Sequence, residues 1–422
     1  MGRTARDRRD LPHPPPVEKI ELSGSNITLR LIAAGLFLLI GALALAYSFG
    51  QLFAVEGGWQ EIEAGASDGP TCAGEFTLFY ELGAEGRAPE EENRALSALY
   101  TQTCRTAYQL FHTMEGFDGV VNLWELSRRP NEALEVDPML YRAFEAVREA
   151  GERTVYLGPV YARYGDLFRC QDDVMLVDFD PRLSGEVAAE YAAYAAYAAD
   201  PAHIEVELLG ENRLRLRISE EYLAFARQES VVCFLDFGWL RNAFVADCLT
   251  DALAEGGFTC GTIASWDGFA RCLDGREGRT YALELLDELE EGRPICAGTA
   301  EYQGPMSLAA LRRFPAAERD WERFYRLRDG QVRTMYLDPA DGVCRASADS
   351  LTGCSRTLSC ARLAMKLGPV FIADTLDTGA LDGLAAEGVH TVCCRDRTLR
   401  VSDPSMPVTN LYQGYTVERP AE

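Results

Sequence analysis

The sequence predicts an α+β fold, in which helices and β-hairpins follow one another without a steady strand–helix alternation. Two kinds of pattern carry this prediction. Apolar residues recur at helical spacing in several segments, whereas other short segments alternate strictly between apolar and polar residues. With 47% hydrophobic and 25% charged residues, the composition is that of a folded protein and not of a disordered acidic chain.

Three amphipathic helices are predicted in the first half of the chain. The first begins at Pro89, carries three glutamates in its first turn, where the helix dipole favours acids, and ends near His112. The second has Asp137 as its N-cap and ends at Gly151. The third covers residues 185–199, and tyrosines recur along one side of it at helical spacing. This stripe of tyrosines predicts a packed face.

Strict alternation predicts a β-hairpin of residues 204–208 and 214–218, joined at Gly210. A strand–helix–strand unit is expected after it, and a further helix and three strands near the C-terminus. The segments are strand 231–234, helix 238–255 and strand 258–264, then strand 370–373, helix 379–387, strand 389–393 and strand 399–401.

Charge and composition exclude several classes of function. The 65 acidic residues exceed the 41 basic ones and leave a net charge of -24, which argues against nucleic acid as a partner. Lys19 and Lys366 are the only lysines, so chemistry that needs a lysine has almost no candidates. The four histidines lie too far apart for the spacings of zinc sites. The thirteen cysteines are an odd number without a C-x-x-C pair, so we expect most of them to be buried apolar residues rather than a disulfide framework.

Residues 31–53 are predicted to form a transmembrane helix. Twenty uncharged residues run from 31 to 50, which is long enough to cross a bilayer. The tail 1–30 carries six basic and four acidic side chains, so the positive-inside rule places it in the cytoplasm and the remainder of the chain outside. A cleaved signal peptide is the alternative, because Ala44-Leu45-Ala46 fits a cleavage site; the long proline-rich tail favours an uncleaved anchor.

The rest of the chain is predicted to contain a linker, a folded domain and a tail. Residues 54–70 are rich in glycine, glutamate and alanine, which is typical of a tether. The folded domain is expected at 71–402, with a C-terminal tail at 403–422.

Three segments of the folded domain carry motifs, and their order, with the predicted helices between them, is more specific than any one of them. They are Gly116-Phe117-Asp118 with V-N-L-W at 121–124, L-D-F-G-W-L-R-N-A-F-V-A-D at 235–247 with Asp267-Gly268 after it, and Y-L-D-P-A-D-G at 336–342.

In this order the segments resemble the FAD:protein FMN transferases, the ApbE-like flavin transferases. The corresponding family segments read G-A-F-D-P-T-V-x-P-L-V-N-L-W, L-D-L-G-A-I-A-K-G-Y-A-V-D and H-I-I-D-P-R-T-G. The resemblance implies an ApbE-like domain over 71–402 in which residues 155–230 are an elaborated insertion. It also implies a magnesium-dependent transfer of FMN from FAD, the substrate, to a Ser or Thr of an exported or membrane partner protein.

The resemblance further implies roles for individual residues. Asp338 would stand in the catalytic loop, and the backbone carbonyl of Trp239 would face the magnesium ion. The helix beginning near Gly238 would offer free N–H groups to a phosphate. The residues implied to contact the cofactor are Gly116, Phe117, Asp118, Asp236, Asn242, Asp267 and Gly268.

Several positions depart from the family pattern. Met335 stands where the family has a histidine, and Asn242 stands where it has a lysine. The carboxylate and threonine that bind magnesium in the family fall on Leu358 and Arg362, neither of which is an oxygen ligand. Two functions are therefore open: a divergent FMN transferase, or a catalytically degenerate flavin-binding or protein-interaction module. Simpler interpretations are also open. Asp236 can be a helix cap, and residues 338–342 can be a structural turn. The folded domain can also be an unrelated structural domain.

Overall fold

The computed structural model describes residues 32, 35–42, 45, 55–67, 69–170, 172–289, 292–317, 320 and 322–419. They fall into two units, 1–55 and 56–422, which are taken separately.

Most of the first unit lies outside the described residues. Within the predicted transmembrane helix 31–53, residues 32, 35–42 and 45 are described and are helical, whereas the tail 1–30 is not described. No helix in the described ranges is long and apolar enough to cross a membrane. The membrane anchor therefore stays a prediction from the sequence.

A nine-stranded sheet forms the centre of the second unit. Its strands are antiparallel to their neighbours, except for the parallel pair at one edge. In spatial order they are Gly58–Glu61, Phe76–Leu82, Gly261–Ser265, Phe269–Cys272, Met306–Arg312, Ser350–Ser355, His390–Arg395, Thr398–Val401 and Thr416–Glu418.

Three smaller sheets complete the β-structure. Their strands are Ala133–Glu135, Arg213–Ile218 and Ile204–Leu208; Val408–Thr409, Pro294–Gln303 and Thr280–Glu288; and Phe324–Arg326 with Val332–Thr334.

The helices are numbered along the chain. They are α1 (Pro89–Leu110), α2 (Leu123–Arg128), α3 (Pro138–Ala150), α4 (Gly158–Arg169), α5 (Gly185–Ala199), α6 (Glu220–Gln228), α7 (Arg241–Glu255), α8 (Cys360–Phe371) and α9 (Thr378–Ala386).

The main sheet is covered on both faces. Helices α7 and α8 pack on strands 261–265, 269–272, 306–312 and 350–355, and α1 packs on α7. On the other side, Leu285 and Ala297 of the sheet 280–303 are buried in one apolar cluster with residues of the main sheet. Burial on both faces explains why the strands Met306–Arg312 and Ser350–Ser355 are buried along almost their whole length.

The predicted helices and the hairpin are confirmed by the structure. Helix α3 begins at Pro138 because the Asp137 carboxylate accepts the N–H of Met139 at 2.8 Å, and it ends at Gly151, whose φ is 64°. The tyrosine stripe of α5 is a packed face, as predicted: Tyr191 is fully buried, and the Tyr197 ring stacks on that of Tyr222 with 4.4 Å between centroids.

Two predicted strands are wrong. Residues 231–234 form no strand, and this segment is held instead by single contacts such as the hydrogen bond from the Phe234 N–H to Ser127 Oγ at 3.1 Å. Residues 370–373 lie at the end of α8 and just beyond it. A short apolar run does not distinguish a buried strand from a buried helix, which is the source of both errors. The strand expected at 258–264 is formed by Gly261–Ser265.

Both predicted ends of the folded domain also need correction. Strand Gly58–Glu61, inside the predicted linker 54–70, pairs with the strand Phe76–Leu82. In the predicted tail 403–422, residues 408–409 pair with the strand 294–303 of a three-stranded sheet, and residues 416–418 pair with the strand 398–401 of the main sheet. Such pairing is a long-range property that local composition does not reveal.

Candidate functional site

The second motif forms a tight turn between an extended segment and α7. The Asp236 Oδ1 atom accepts the N–H of Gly238 at 2.7 Å, and Gly238 has a φ of 51°, a conformation that favours glycine. Burial raises the pKa of the Asp236 carboxyl above its ordinary value, although the Gly238 N–H and the Arg241 guanidinium oppose the shift. Asp236 therefore holds this turn through an i to i+2 hydrogen bond and is not the N-cap of α7, which is Leu240, so the interpretation of Asp236 as a helix cap is wrong. Asp236 also lines a cavity.

An ion-pair network lies behind this turn. Arg241 pairs with Glu75, whose Oε2 also accepts the side-chain N–H of the fully buried Asn242 at 3.0 Å. Arg323 pairs with Asp267 at 2.7 Å. The structure thus brings Asn242 and Asp267 into one region with Asp236, as the motifs predicted, but their polar groups bind protein partners.

The cavity in front of Asp236 has a volume of about 320 Å³. Motif residues Asp236 and Gly238 line it, together with Met335, which stands where the family has its histidine. Helix α4 contributes Tyr161 and Phe168 to the wall. Residues from the second motif, from the beginning of the third and from α4, which lies in the predicted insertion 155–230, therefore meet at one concave site.

The first motif lies near this cavity but does not line it. Thr113 and Met114 reach the cavity, whereas Gly116 and Asp118 are exposed. The ring of Phe117 packs against His112, with 5.6 Å between the ring centroids. The side chain of Asn122 fixes the segment before Gly116 through hydrogen bonds to the carbonyls of Gln109 and Glu115.

The Asp338 loop is a self-contained turn. The two carboxylate oxygens of Asp338 contact the N–H of Ala340 at 2.8 Å and the guanidinium of Arg345 at 2.9 Å, and its carbonyl accepts the N–H of Gly342 at 2.8 Å. Asp338 does not line the cavity that Met335 reaches. Its contacts are those of the structural turn that 338–342 also predicts.

Gly268 has a structural role of its own. Its φ is 111°, and a side chain there would collide with the carbonyl oxygen of Ala310 on the neighbouring strand. Only glycine fits this position.

The Trp239 ring lies near one end of α8, and Leu358 and Arg362, which stand at the family's magnesium-binding positions, lie near the other end. The Trp239 ring is buried against Tyr336 and against Gly368, near the end of α8. Leu358 lies just before α8, and Arg362 lies in its first turn. Arg362 is therefore about 9 Å from Gly368 along the helix axis. Arg362 is ion-paired with Glu149.

The side chains of Leu358 and Arg362 do not fit magnesium, because neither supplies an oxygen ligand. The role of the Trp239 backbone carbonyl stays a prediction. Within the described ranges, no group of three or more His, Cys, Asp or Glu side chains is placed to hold a metal ion.

Leu358 and Arg362 line a second cavity, of about 400 Å³, with Asp247. The Asp247 carboxylate accepts the N–H groups of Cys360 and Ala361, at 2.7 and 3.0 Å, at the start of α8. Burial nevertheless raises the pKa of Asp247 to about 6.

Sequence reasoning missed Tyr161, Arg323 and Glu75 as components of the site. The only local signal in the α4 region is Gly158-Pro159, which is typical of a helix start. Nothing in the sequence indicates that this helix lies against a turn almost eighty residues further along the chain.

The fold is similar to that of the flavin transferases named ApbE. No protein-family model and no curated protein matches the chain. Among solved structures, the ApbE protein of Thermotoga maritima matches with a TM-score of 0.54 and 13% identity, covering 83% of this chain and 97% of that one. The flavin transferase ApbE of Vibrio cholerae matches with a TM-score of 0.53 and 13% identity, covering 85% and 99%. The ApbE-like fold predicted from the three motifs is confirmed.

Proposed function

We propose that this protein binds a flavin in the Asp236 cavity and has lost the magnesium-dependent transfer of FMN. The observation that carries the proposal is the cavity itself. It joins Asp236 and Gly238 of the second motif to Met335 of the third, within the fold of the ApbE flavin transferases.

The wall of the cavity fits a flat heteroaromatic ring. Tyr161, Phe168, Met114 and Met335 supply rings and thioethers, and the Asp236 carboxyl supplies a polar edge. The remainder of the lining is polar and charged, so that apolar and polar groups meet in one cavity. Met335 and Met114 add flexible, polarizable contacts to an aromatic ligand.

The same cavity fits a diphosphate poorly. Of the three arginines of the lining, Arg241 and Arg323 are paired with Glu75 and Asp267, and Arg169 is in an exposed pair with Asp166. The N–H of Gly238, predicted to be free for a phosphate, is donated to Asp236. The ring half of a flavin is therefore favoured over its phosphates.

The proposed loss of transfer follows from the chemistry of the positions that would support it. Phosphoryl transfer requires neutralisation of the charge on the phosphate oxygens and removal of a proton from the acceptor hydroxyl. Magnesium ordinarily supplies that neutralisation, and the side chains of Leu358 and Arg362 do not fit it. The Met335 thioether does not move a proton, and Asp338 is ion-paired with Arg345.

The proposed location is the outer face of the cytoplasmic membrane, with residues 31–53 as the anchor. This part of the proposal rests on the uncharged stretch 31–50 and on the basic tail that precedes it. A divergent transferase acting on an exported or membrane protein is the alternative function, and the same experiment tests it.

The test is a calorimetric titration of the full chain with riboflavin, FMN and FAD, with and without EDTA. We expect flavin binding that EDTA does not change. Asp236→Ala should weaken binding by about tenfold or more if the carboxyl contacts the ligand. Asp382→Ala, at an exposed ion pair of α9, is the control and should bind as the unmodified chain does.

A covalent assay completes this test. The chain is incubated with FAD, magnesium and a flavin-accepting protein, and a denaturing gel is inspected for flavin fluorescence. We expect no fluorescent adduct. An adduct that requires Asp338 would establish the transferase instead, and absence of any flavin binding would contradict both functions.

A further inference from the structure

One face of the main sheet is left uncovered at the end formed by its first two strands. In strand Phe76–Leu82, buried residues alternate with less buried ones, and Phe79, one of the latter, is 44% exposed. Trp59 of the edge strand Gly58–Glu61 is 41% exposed. Strand Met306–Arg312, at the centre of the sheet, is instead buried along almost its whole length. The sheet at this end therefore packs on the protein with one face only.

Trp59 and Phe79 lie on the same free face of the sheet. Trp59 is paired with Glu81, which is two residues from Phe79 on the same strand. Paired residues share a face of a sheet, and so do residues two apart on a strand. The ring of Tyr281 contacts that of Trp59 edge on, with 6.3 Å between the centroids, and the three rings line a concavity of about 420 Å³. Trp59, Phe79 and Tyr281 therefore form one aromatic face.

The charges beside the aromatic face are either paired or acidic. Arg279, which lines the same concavity, donates to both carboxylate oxygens of Glu81, at 2.9 Å each. The other charged residues close to Trp59 in the sequence are acids, namely Glu56, Glu61 and Glu63. A negatively charged lipid surface attracts basic segments, and none is found here. The aromatic face is therefore suited to an uncharged or zwitterionic partner.

The length of the chain limits how far Trp59 can be from the predicted membrane anchor. Because strand Gly58–Glu61 lies inside the predicted linker, only residues 54–57 remain between that strand and the predicted transmembrane helix 31–53. An extended chain spans at most about 3.6 Å per residue, so the six steps from residue 53 to residue 59 cover at most about 22 Å. An anchor at 31–53 therefore keeps Trp59 within that distance of the point where the chain leaves the bilayer.

A bilayer interface matches the aromatic face chemically. Tryptophan and tyrosine are enriched at membrane–water interfaces, where their amphipathic rings sit at the level of the headgroups. We infer that the aromatic face docks on the outer surface of the membrane, on zwitterionic lipid, and so fixes the orientation of the folded domain there. The inference rests on the membrane location within the proposed function and does not depend on flavin binding.

The first test measures the fluorescence of Trp59 in the full chain, reconstituted in phosphatidylcholine vesicles whose acyl chains carry bromine close to the headgroups. Bromine quenches a tryptophan that it contacts. Subtracting the emission of Trp59→Phe from that of the unmodified chain isolates Trp59 among the five tryptophans. We expect Trp59 to lose most of its emission on brominated lipid. Added salt should leave this loss unchanged, because no charge attraction holds the face on zwitterionic lipid.

The second test removes one ring from the aromatic face. Phe79→Thr keeps a residue that suits a strand and should leave the midpoint of thermal unfolding unchanged, since Phe79 is an exposed residue. We expect most of the Trp59 emission to return in this variant, because the apolar area buried in the interface holds the face there. Leu209→Thr is the matched control: Leu209 is 40% exposed and lies outside the aromatic face, so its replacement should leave the quenching of Trp59 as it is.

The outcomes separate docking from the membrane location on which it rests. If the chain stays in the vesicles during an alkaline carbonate wash but Trp59 is not quenched, or is quenched equally in Phe79→Thr, docking is refuted while the anchor stands. An unquenched Trp59 whose emission wavelength depends on the protein-to-lipid ratio would assign the aromatic face to a second copy of this chain and would also refute docking. If carbonate removes the chain from the vesicles, the proposed membrane location and docking are both refuted.

Discussion

Asp247 shows how opposing effects act on one carboxyl group. Burial raises its pKa from 3.8 to about 6, although its hydrogen bonds to Ser359 and to the N–H groups of Ala361 and Cys360 favour the ionised form. Because the folded state binds this proton more tightly than the unfolded state, the contribution of Asp247 to stability is fully present below pH 4. It is lost as the pH rises through about 6.

Replacing Asp247 with asparagine should therefore change how stability depends on pH. Relative to Asp247→Asn, the unmodified chain should lose up to about 3 kcal/mol in its free energy of unfolding between pH 4 and pH 7. Urea denaturation at both pH values measures this difference. Asp382→Asn, at an exposed site, is the control. Parallel pH profiles for Asp247→Asn and the unmodified chain would show that the Asp247 proton is not linked to folding.

At the scale of elements, Asn122 connects α1, α2 and the first motif. It is fully buried, and its Oδ1 accepts the N–H of Glu125 at 3.0 Å as the N-cap of α2. Its side-chain N–H groups are donated to the carbonyls of Gln109 and Glu115, at 3.1 and 2.9 Å. One side chain thus fixes the segment that carries Gly116.

Asn122→Ala should destabilise the protein by about 2–4 kcal/mol, because the cap is lost and two carbonyl groups lose their donor. Ser184→Ala removes a simple N-cap from α5 and should cost only about 1 kcal/mol. Urea denaturation of both variants measures the contrast. Equal losses would mean that the two carbonyls find other donors and that Asn122 acts only as a cap.

At the scale of the whole molecule, the cysteines provide reporters of the predicted membrane orientation. All thirteen are free thiols, and all except Cys170 and Cys296 are buried. A maleimide that does not cross membranes should therefore reach those two positions first, and only if the folded domain lies outside the cytoplasm.

Intact cells that express the full chain should accordingly be labelled by such a maleimide, and the double variant Cys170→Ser, Cys296→Ser should lose most of the label. Mass spectrometry of the purified chain identifies the labelled sites. Labelling that appears only after the membrane is permeabilised would reverse the orientation predicted from the basic tail 1–30.

The sequence by itself determined the features that local patterns encode. The capped helices α1, α3 and α5 and the hairpin at 204–218 were predictable because caps, apolar spacing and strict alternation are properties of adjacent residues. The order of the three motifs also indicated the ApbE-like fold, and the substitutions at Met335 and Arg362 are visible without any structure.

Only the tertiary structure decided which of these parts meet. The pairing of strand 58–61 and the position of 370–373 within and after α8 depend on partners far away in the chain, which local patterns do not specify. The same applies to the site: Tyr161 meets Gly238 because α4 packs between two motifs. Long-range packing, and not any single motif, therefore decides the shape of the cavity and the ligand that fits it.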